Sequence, residues 1–541
     1  MSLKLSVPPL MPSTDVSLRP GQVRKQLSEL PLLNVPETGR QLSSLIVVTN
    51  RTDLEDDVRL ELLELYRRPM RDLASELQKQ YLGKTLPLAN RQKAAAEQNR
   101  QFQMELAAGY KRIVLNDASN PSRPPHEIAL AIQRALRHLG EAIAISYKAY
   151  SPVPLVAWPE IHTLYRQAET LGVANVPVED ALNRPLLMSS VAHAYKQALL
   201  LELADPYHLP SPQIGKIQQY LDRWGDLAAL LPANKLFGRS CQFLLDQSSD
   251  GAGIVHDENA SADHPERQRL LNTVKLAHRA HLHLASLLRG EHPDPDGLDD
   301  DFFRDDTQDI FRRLIRLWGR HPTRGFRRNR RTETKLDVAI GIPSVNYWLN
   351  GGTRFTVSAA TMGPTPYRNA LGISAMPPRI AASDQPDPEF LTWDVINESA
   401  GGFSLLRQDA HHNGLRIGDL LALRAPGDLR AWNVAAIRWA RSVNTSQIEI
   451  GVQRLAPAAH AVAIKLLTDD GKQSDFLSAL RLPAITLLKQ AASLITPRGV
   501  FRPQREIYLD DGNWLHRVVA TQIVEVSPTF ERFQFKILPA A

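Results

Sequence analysis

The sequence predicts a multidomain α-plus-β protein, with an all-α helical bundle or array at the N-terminal end and an antiparallel β region at the C-terminal end. Three observations carry this expectation. Apolar residues recur with a period near 3.6 over most of the chain up to residue 320, and with a period of 2 beyond it. Between the two patterns the charge reverses sign, from an aspartate-rich stretch to an arginine-rich one. The length of 541 residues also exceeds what a single core serves, and implies roughly two to four domains.

Composition narrows the class. Hydrophobic residues make up 43% and charged residues 23%, which is ordinary for a globular protein in water. The net charge of +6 is small for the length, so bulk electrostatics demand neither a nucleic-acid nor a membrane partner. The single cysteine, Cys241, can form neither an internal disulfide nor a thiolate metal site, and reads as a small packing residue. The opening MSLKLSVPPLMPSTDV lacks the apolar run of a signal peptide. No window approaches the ~18–20 apolar residues of a membrane span, so a cytoplasmic protein is expected.

Residues 1–40 are rich in Pro, Ser and Leu without a period, and read as a mobile leader. The helical domain is expected over 41–320. Within it Ile128, Ile132, Ala135, Leu136 and Leu139 fall on one helical face, just after Pro124 and Pro125. Val191, Ala194, Tyr195, Ala198 and Leu199 repeat the pattern in a helix that must stop near Asp205-Pro206. Ser211-Pro212 reads as N-cap and first residue of another helix, carrying Ile214, Ile217, Leu221 and Trp224. No fixed repeat identifies a solenoid. A polar loop over 247–265 is followed by a helix from Arg267 to Leu288. An acidic linker over 291–306 holds Asp294, Asp296, Asp299, Asp300, Asp301, Asp305 and Asp306, and a helix ending near Trp318 follows it.

The β region begins where Leu336, Val338, Ile340 and Ile342 alternate with their neighbours. Ile448, Ile450 and Val452 alternate in the same way, as do Phe533, Phe535 and Ile537. Asp511-Gly512 is a hairpin signal. One helix is expected around Ala479–Leu494. A helical part followed by a β part reads as separate domains rather than one α/β sheet.

Two elements carry chemistry. Arg324, Arg327, Arg328, Arg330 and Arg331 stand just ahead of the first strand; alone they would be a solvated linker or a nucleic-acid patch. Asn397-Glu398-Ser399-Ala400-Gly401-Gly402 follows one strand pattern and precedes another; alone it would be a polar turn. In this order and context the two resemble the PilZ family. That family pairs Arg-x-x-x-Arg on the linker entering a β-barrel with Asp/Asn-x-Ser-x-x-Gly on a following strand and turn. Here these are Arg327 and Arg331, then Asn397, Ser399 and Gly402. The apolar Phe403 and Leu405, the strand ending Ile437-Arg438-Trp439, and Ile448 to Val452 agree with the family pattern. The resemblance covers about 321–460 and leaves 461–541 as a β extension of a minimal PilZ-like barrel. The gap from Arg331 to Asn397 is longer than usual in the family, which implies an insertion near 351–389. Arg324 and Arg328 are also four apart, so Arg328 or Arg330 is expected to share the phosphate contacts.

The resemblance implies a cyclic di-GMP receptor rather than an enzyme, and the residues suit that ligand. Arginine pairs bidentately with phosphate, forks onto guanine O6 and N7, and stacks on a base. Asn397 and Ser399 offer hydrogen bonds to a guanine edge, and Gly402 lets the backbone approach closely. Second-messenger level would then become a conformational change between the PilZ-like domain and a helical module that binds a protein partner. The acidic run would hold the free arginines. Two alternatives stand: a degenerate PilZ-fold scaffold that binds no nucleotide and acts through protein contacts, and a nucleic-acid-binding RRNRR segment. No phosphate loop, dinucleotide motif, nucleophile elbow or metalloprotease motif occurs, and no cofactor is expected. His278, His281 and His283 lack a further ligand at metal spacing, and His411-His412 reads as a solvated loop.

Overall fold

The computed structural model describes residues 3–11, 18–182, 187–233, 240–255, 262–292, 298, 300–303, 307–320, 329–331, 333–357, 386–408, 414–428, 432–444, 446–466, 475–484 and 490–539. The chain divides into two compact units. One comprises Met1–Lys84 with Leu88–Arg324, the other Thr85–Pro87 with Gly325–Ala541.

The first unit is helical. Its helices are α1 (Pro20–Ser28), α2 (Val35–Arg51), α3 (Asp56–Tyr81), α4 (Asn90–Ser119), α5 (Pro125–Lys148), α6 (Ala157–Thr170), α7 (Val191–Leu203), α8 (Ser211–Trp224), α9 (Val274–Leu288) and α10 (Thr307–Gly319). Helix α5 is the central one. Ile128, Ile132, Ala135, Leu136 and Leu139 are all buried, and so are polar residues on its other faces, including Gln133, Arg134 and His138. A helix so buried needs partners for its polar groups: Arg134 meets Glu64 of α3, His138 Nδ1 meets Gln103 of α4 and Arg137 meets Gln197 of α7, while Gln133 Nε2 and His138 Nε2 are left without a protein partner. Helix α7 stops where Asp205 turns to φ 57° ahead of Pro206.

Two short sheets accompany the helices. The strands β1 (Val178–Glu179) and β2 (Met188–Ser189) form a ladder. A four-stranded sheet has the order β3-β6-β4-β5, from β3 (Ala229–Pro232), β4 (Gln242–Asp246), β5 (Ile254–Val255) and β6 (Gln268–Asn272).

Four expectations are corrected in this unit. The leader is not structureless: it holds α1 and the start of α2, buries Leu18 and Val23, and ties Ser6 N–H to Glu160 Oε1 at 2.6 Å and Met11 N–H to the Arg51 carbonyl at 2.7 Å. The segment from Arg267 begins as strand β6, and its helix starts only at Val274; adjacent buried Leu270 and Leu271 pack on the two faces of a short strand, which hides the alternation. The polar 247–265 stretch contributes β5, while 256–261 lie outside the described residues. Ser211 is the first residue of α8 rather than its cap, and its hydroxyl accepts the Gly83 N–H at 2.8 Å. Most of the acidic linker is also outside the described residues.

The second unit contains two barrels. The first uses β7 (Asn329–Arg330), β8 (Lys335–Ile340), β9 (Leu391–Ser399), β10 (Gly402–Arg407), β11 (Leu420–Arg424), β12 (Asn433–Ser442) and β13 (Ile448–Ala456), with a helix α11 (Ile342–Leu349) after β8. The order is β10-β13-β12-β11-β8-β9-β7, and β9 also pairs with β10, which closes the ring. Ile342 does not continue β8 as its alternation suggested. Gly341 at φ +83° breaks the strand, and Ile342 opens α11.

The second barrel closes in the order β14-β15-β16-β19-β18-β17, from β14 (His460–Leu466), β15 (Leu477–Leu482), β16 (Ser493–Pro497), β17 (Glu506–Asp510), β18 (Leu515–Val526) and β19 (Phe530–Ile537). Its interior holds Val462, Ala479, Leu494, Ile507, Val518 and Phe533. The described residues of the stretch Ala479–Leu494, where a helix was expected, form none: 479–482 lie in β15 and 493–494 in β16, strands that pair with each other, and 485–489 lie outside the described residues. Ala479 and Leu494 point into this barrel, whereas Leu480, Leu482 and Ile495 pack with Ile342, Val345 and Leu420 outside it. A strand buried on both faces reads as one apolar run, which periodicity cannot tell from a helix. Asn346 of α11 is buried in the same place, donating to the Val462 and Ala479 carbonyls at 2.9 and 2.8 Å. In the expected insertion, 358–385 lie outside the described residues.

Candidate ligand-binding site

The two sequence motifs meet along one edge of β9. Strand β7 pairs Asn329 with Glu398 and Arg330 with Asn397. Strand β8 pairs along the same edge further on, with Lys335 opposite Asp394, so the register slips by two residues between them. Glu333 takes φ 61° within the slip, as extra residues in a ladder require. Arg331 thereby arrives beside the end of β9, its N–H donating to the Ile396 carbonyl at 3.2 Å.

Its guanidinium donates to Glu398 Oε2 through Nε at 3.1 Å and Nη2 at 3.0 Å. The other oxygen of Glu398 accepts from Arg454 Nη2 at 2.7 Å. Arg454, at the end of β13, lies 4.2 Å from the centre of the Phe403 ring, a cation–π contact. Burial would push the Glu398 carboxyl up, but the hydrogen bonds from Arg454 and Arg331 outweigh it and hold the group below the usual range. The arrangement stays open to water: the side chains of Arg331, Arg454 and Glu398 are 52%, 30% and 28% exposed.

The turn after β9 fixes the remaining motif residues. Ser399 Oγ donates to the Gly402 carbonyl at 3.3 Å, and Arg454 N–H donates to the Gly401 carbonyl at 2.9 Å. Gly402 runs so close to β13 that a Cβ there would sit 1.9 Å from the Val452 carbonyl oxygen. Only glycine fits, which accounts for the last position of the motif. On the neighbouring strands Glu449 accepts from Ser404 Oγ at 2.6 Å and from Arg441 Nη2 at 2.9 Å. Trp439 covers Gly451, where a Cβ would meet its indole at 1.8 Å.

Of the residues expected at the site, Arg331, Asn397, Ser399 and Gly402 come together, while Arg327 and Arg328 lie outside the described residues, as do His411 and His412. Glu398 and Arg454 were not anticipated. Glu398 occupies a variable position of the motif, and Arg454 stands two residues after Val452 on the strand whose alternation was legible. Two guanidinium groups converging on one carboxylate form an anion-accepting pair, and geometry that holds a carboxylate suits a phosphodiester.

The other candidates resolve differently. His283 is buried, with Nδ1 3.1 Å from Tyr220 Oη. Among the described residues no three His, Cys, Asp or Glu side chains gather as metal ligands. Burial pushes the Cys241 thiol up, away from nucleophile chemistry. No helix among the described residues is long and apolar enough to cross a membrane.

Residues 368–461 match the family model described as "Cyclic-di-GMP receptor FimW, middle PilZ domain". The middle region of this chain is a PilZ domain. On either side of it, residues 21–234 match the N-terminal domain of the cyclic-di-GMP receptor FimW and residues 462–538 match the FimW C-terminal beta-barrel domain. The matched PilZ segment starts after Arg331, so the arginine stretch joins the PilZ motif through the β7–β9 pairing and not through the family match. A protein of Pseudomonas aeruginosa named "Cyclic-di-GMP receptor FimW" is 26% identical over 593 residues, spanning 99% of this chain and 93% of its own. No solved structure matches the chain.

Proposed function

We propose that this chain is a cytoplasmic cyclic di-GMP receptor, not an enzyme, whose PilZ domain takes the ligand on Arg331, Asn397, Ser399 and Gly402. The observation that carries the reading is the delivery of Arg331 onto the PilZ motif by the β7–β9 pairing, beside a second arginine, Arg454. The name of the Pseudomonas aeruginosa relative supports the same ligand. In this reading Arg331, with Arg327 and Arg328 before it, takes the phosphodiester charges and stacks on a base. Asn397 and Ser399 meet a guanine edge, and Gly402 keeps the turn against β13. Glu398 plays the part first expected of the acidic linker, holding the arginines until the ligand's phosphates replace it. The arginine linker then wraps the ligand and alters contacts between the helical and β modules, so that the helical module reports to a protein partner.

Isothermal titration of cyclic di-GMP into the full chain tests this. Saturable binding is expected, with Arg331→Ala and Ser399→Ala each weakening it at least about tenfold. No binding by the folded wild type would leave a PilZ scaffold that works through protein contacts alone.

A further inference from the structure

The helical unit contains a cavity of about 250 Å³ between α3, α4 and α5, all of it within that unit. Three buried polar side chains in its lining each keep one atom without a protein partner: Arg67 Nε, Asn99 Oδ1 and His138 Nε2. These residues are 7%, 2% and 8% exposed. Polar groups so buried are nearly always satisfied, and three orphans in one cavity point to something that satisfies them.

The protein bonds fix what each orphan offers. Asn99 Nδ2 faces the Ala74 carbonyl at 3.2 Å, which can only accept, so the free Oδ1 is an acceptor. His138 Nδ1 faces Gln103 Oε1 at 2.8 Å, so the ring proton sits on Nδ1 and Nε2 is a bare acceptor. Burial, then Arg67 and Arg134, keep that imidazole neutral. Arg67 Nε–H is a donor. The three orphans therefore present two acceptors and one donor.

We propose that this cavity is a second ligand site, and that it takes a guanine base. The three arginines of the lining already have carboxylate partners, Arg67 with Asp180, Arg71 with Asp72 and Arg137 with Asp222, so a phosphate or carboxylate would meet the two bare acceptors, and an ammonium would meet the charge of Arg67. A polyol would leave hydroxyls unpaired against the apolar Met70, Leu106 and Ile145 in the lining. A flat heterocycle instead lays its faces on those side chains, and Met70 sulfur suits a ring. Guanine is the common base whose pairing edge carries two N–H donors and one carbonyl acceptor, the complement of this lining. Adenine offers one donor and one acceptor there. The inference is independent of the PilZ site, since it uses other residues in the other unit.

The test is calorimetric titration of guanosine and of adenosine into the full chain; a nucleoside probes base recognition without phosphate attraction. Guanosine should bind saturably, and adenosine at least about tenfold more weakly. Ala74→Leu, at the partly exposed mouth, leaves every buried hydrogen bond in place and should abolish guanosine binding without lowering the melting temperature. Asn99→Leu should also abolish it. Arg331→Ala should leave it unchanged. No guanosine binding by folded wild type, equal binding of both nucleosides, or binding that survives Ala74→Leu would each overturn the proposal. So would loss of binding in Arg331→Ala, which would place the nucleoside at the PilZ motif.

Discussion

In the helical unit Arg67 meets Asp180 at 2.6 Å and Arg134 meets Glu64 at 3.0 Å, with both arginines and Asp180 buried. At the PilZ motif Arg331 meets Glu398 at 3.0 Å with half of its side chain in water. The bond lengths are similar and the surroundings are not. Removing one partner of a buried pair strands a charge in a medium that cannot solvate it, whereas an exposed pair exchanges its partner for water at little loss. The first arrangement is suited to fixing the packing of α3 against α5. The second is suited to letting go.

The largest expected effect tests the buried side of this contrast. Asp180→Ala should destabilise the helical unit by about 3–5 kcal/mol, read from its denaturant transition. A change below about 1 kcal/mol would mean that water reaches the cluster and the contrast fails. Burial would raise the Asp180 carboxyl, but Arg67 and Arg134 bring it down to about 2. Its folded value lies below the unfolded one, so this contribution is full above the ordinary carboxylate range and is lost only as pH falls through about 2.

A carboxyl buried without such compensation sharpens the comparison. Asp419, ahead of β11, accepts the Arg416 N–H at 2.7 Å, yet burial pushes it up to about 6. Here the folded value lies above the unfolded one. The protonated form is favoured in the fold, and the associated stability is present at acid pH and lost as pH rises through about 6. Asp419→Asn should therefore match the wild type near pH 4 and exceed it by about 1–3 kcal/mol above pH 7. Equal stability of the two proteins at every pH would show that Asp419 is solvated. The smallest stability effect belongs to the exposed pair: Glu398→Gln should shift the melting of the β unit by less than about 1 kcal/mol.

The contrast between the regions also explains what could be read in the sequence. Helix α8 and the strand β13 each bury one face more than the other, so their periods were visible. Strand β15 sends Ala479 into one core and Leu480 and Leu482 into another, and its alternation vanished. The sheet of β3 to β6 has strands of two to five residues, too short to show a period against the helices around them. Arg331, Asn397, Ser399 and Gly402 were legible because short motifs record local chemistry. Glu398 and Arg454 were not, because their role depends on which strands become neighbours. The cavity orphans were further from view: Arg67, Asn99 and His138 sit on three helices, and each looks like a routine polar residue in its own segment.

The most direct measurement is the affinity of Glu398→Gln for cyclic di-GMP beside that of the wild type, by calorimetry at matched ionic strength. If Glu398 holds Arg331 and Arg454 until the ligand replaces it, removing its charge should tighten binding roughly threefold to tenfold. Unchanged or weaker binding would contradict that view, and would make Glu398 a residue that positions the arginines rather than one that competes for them.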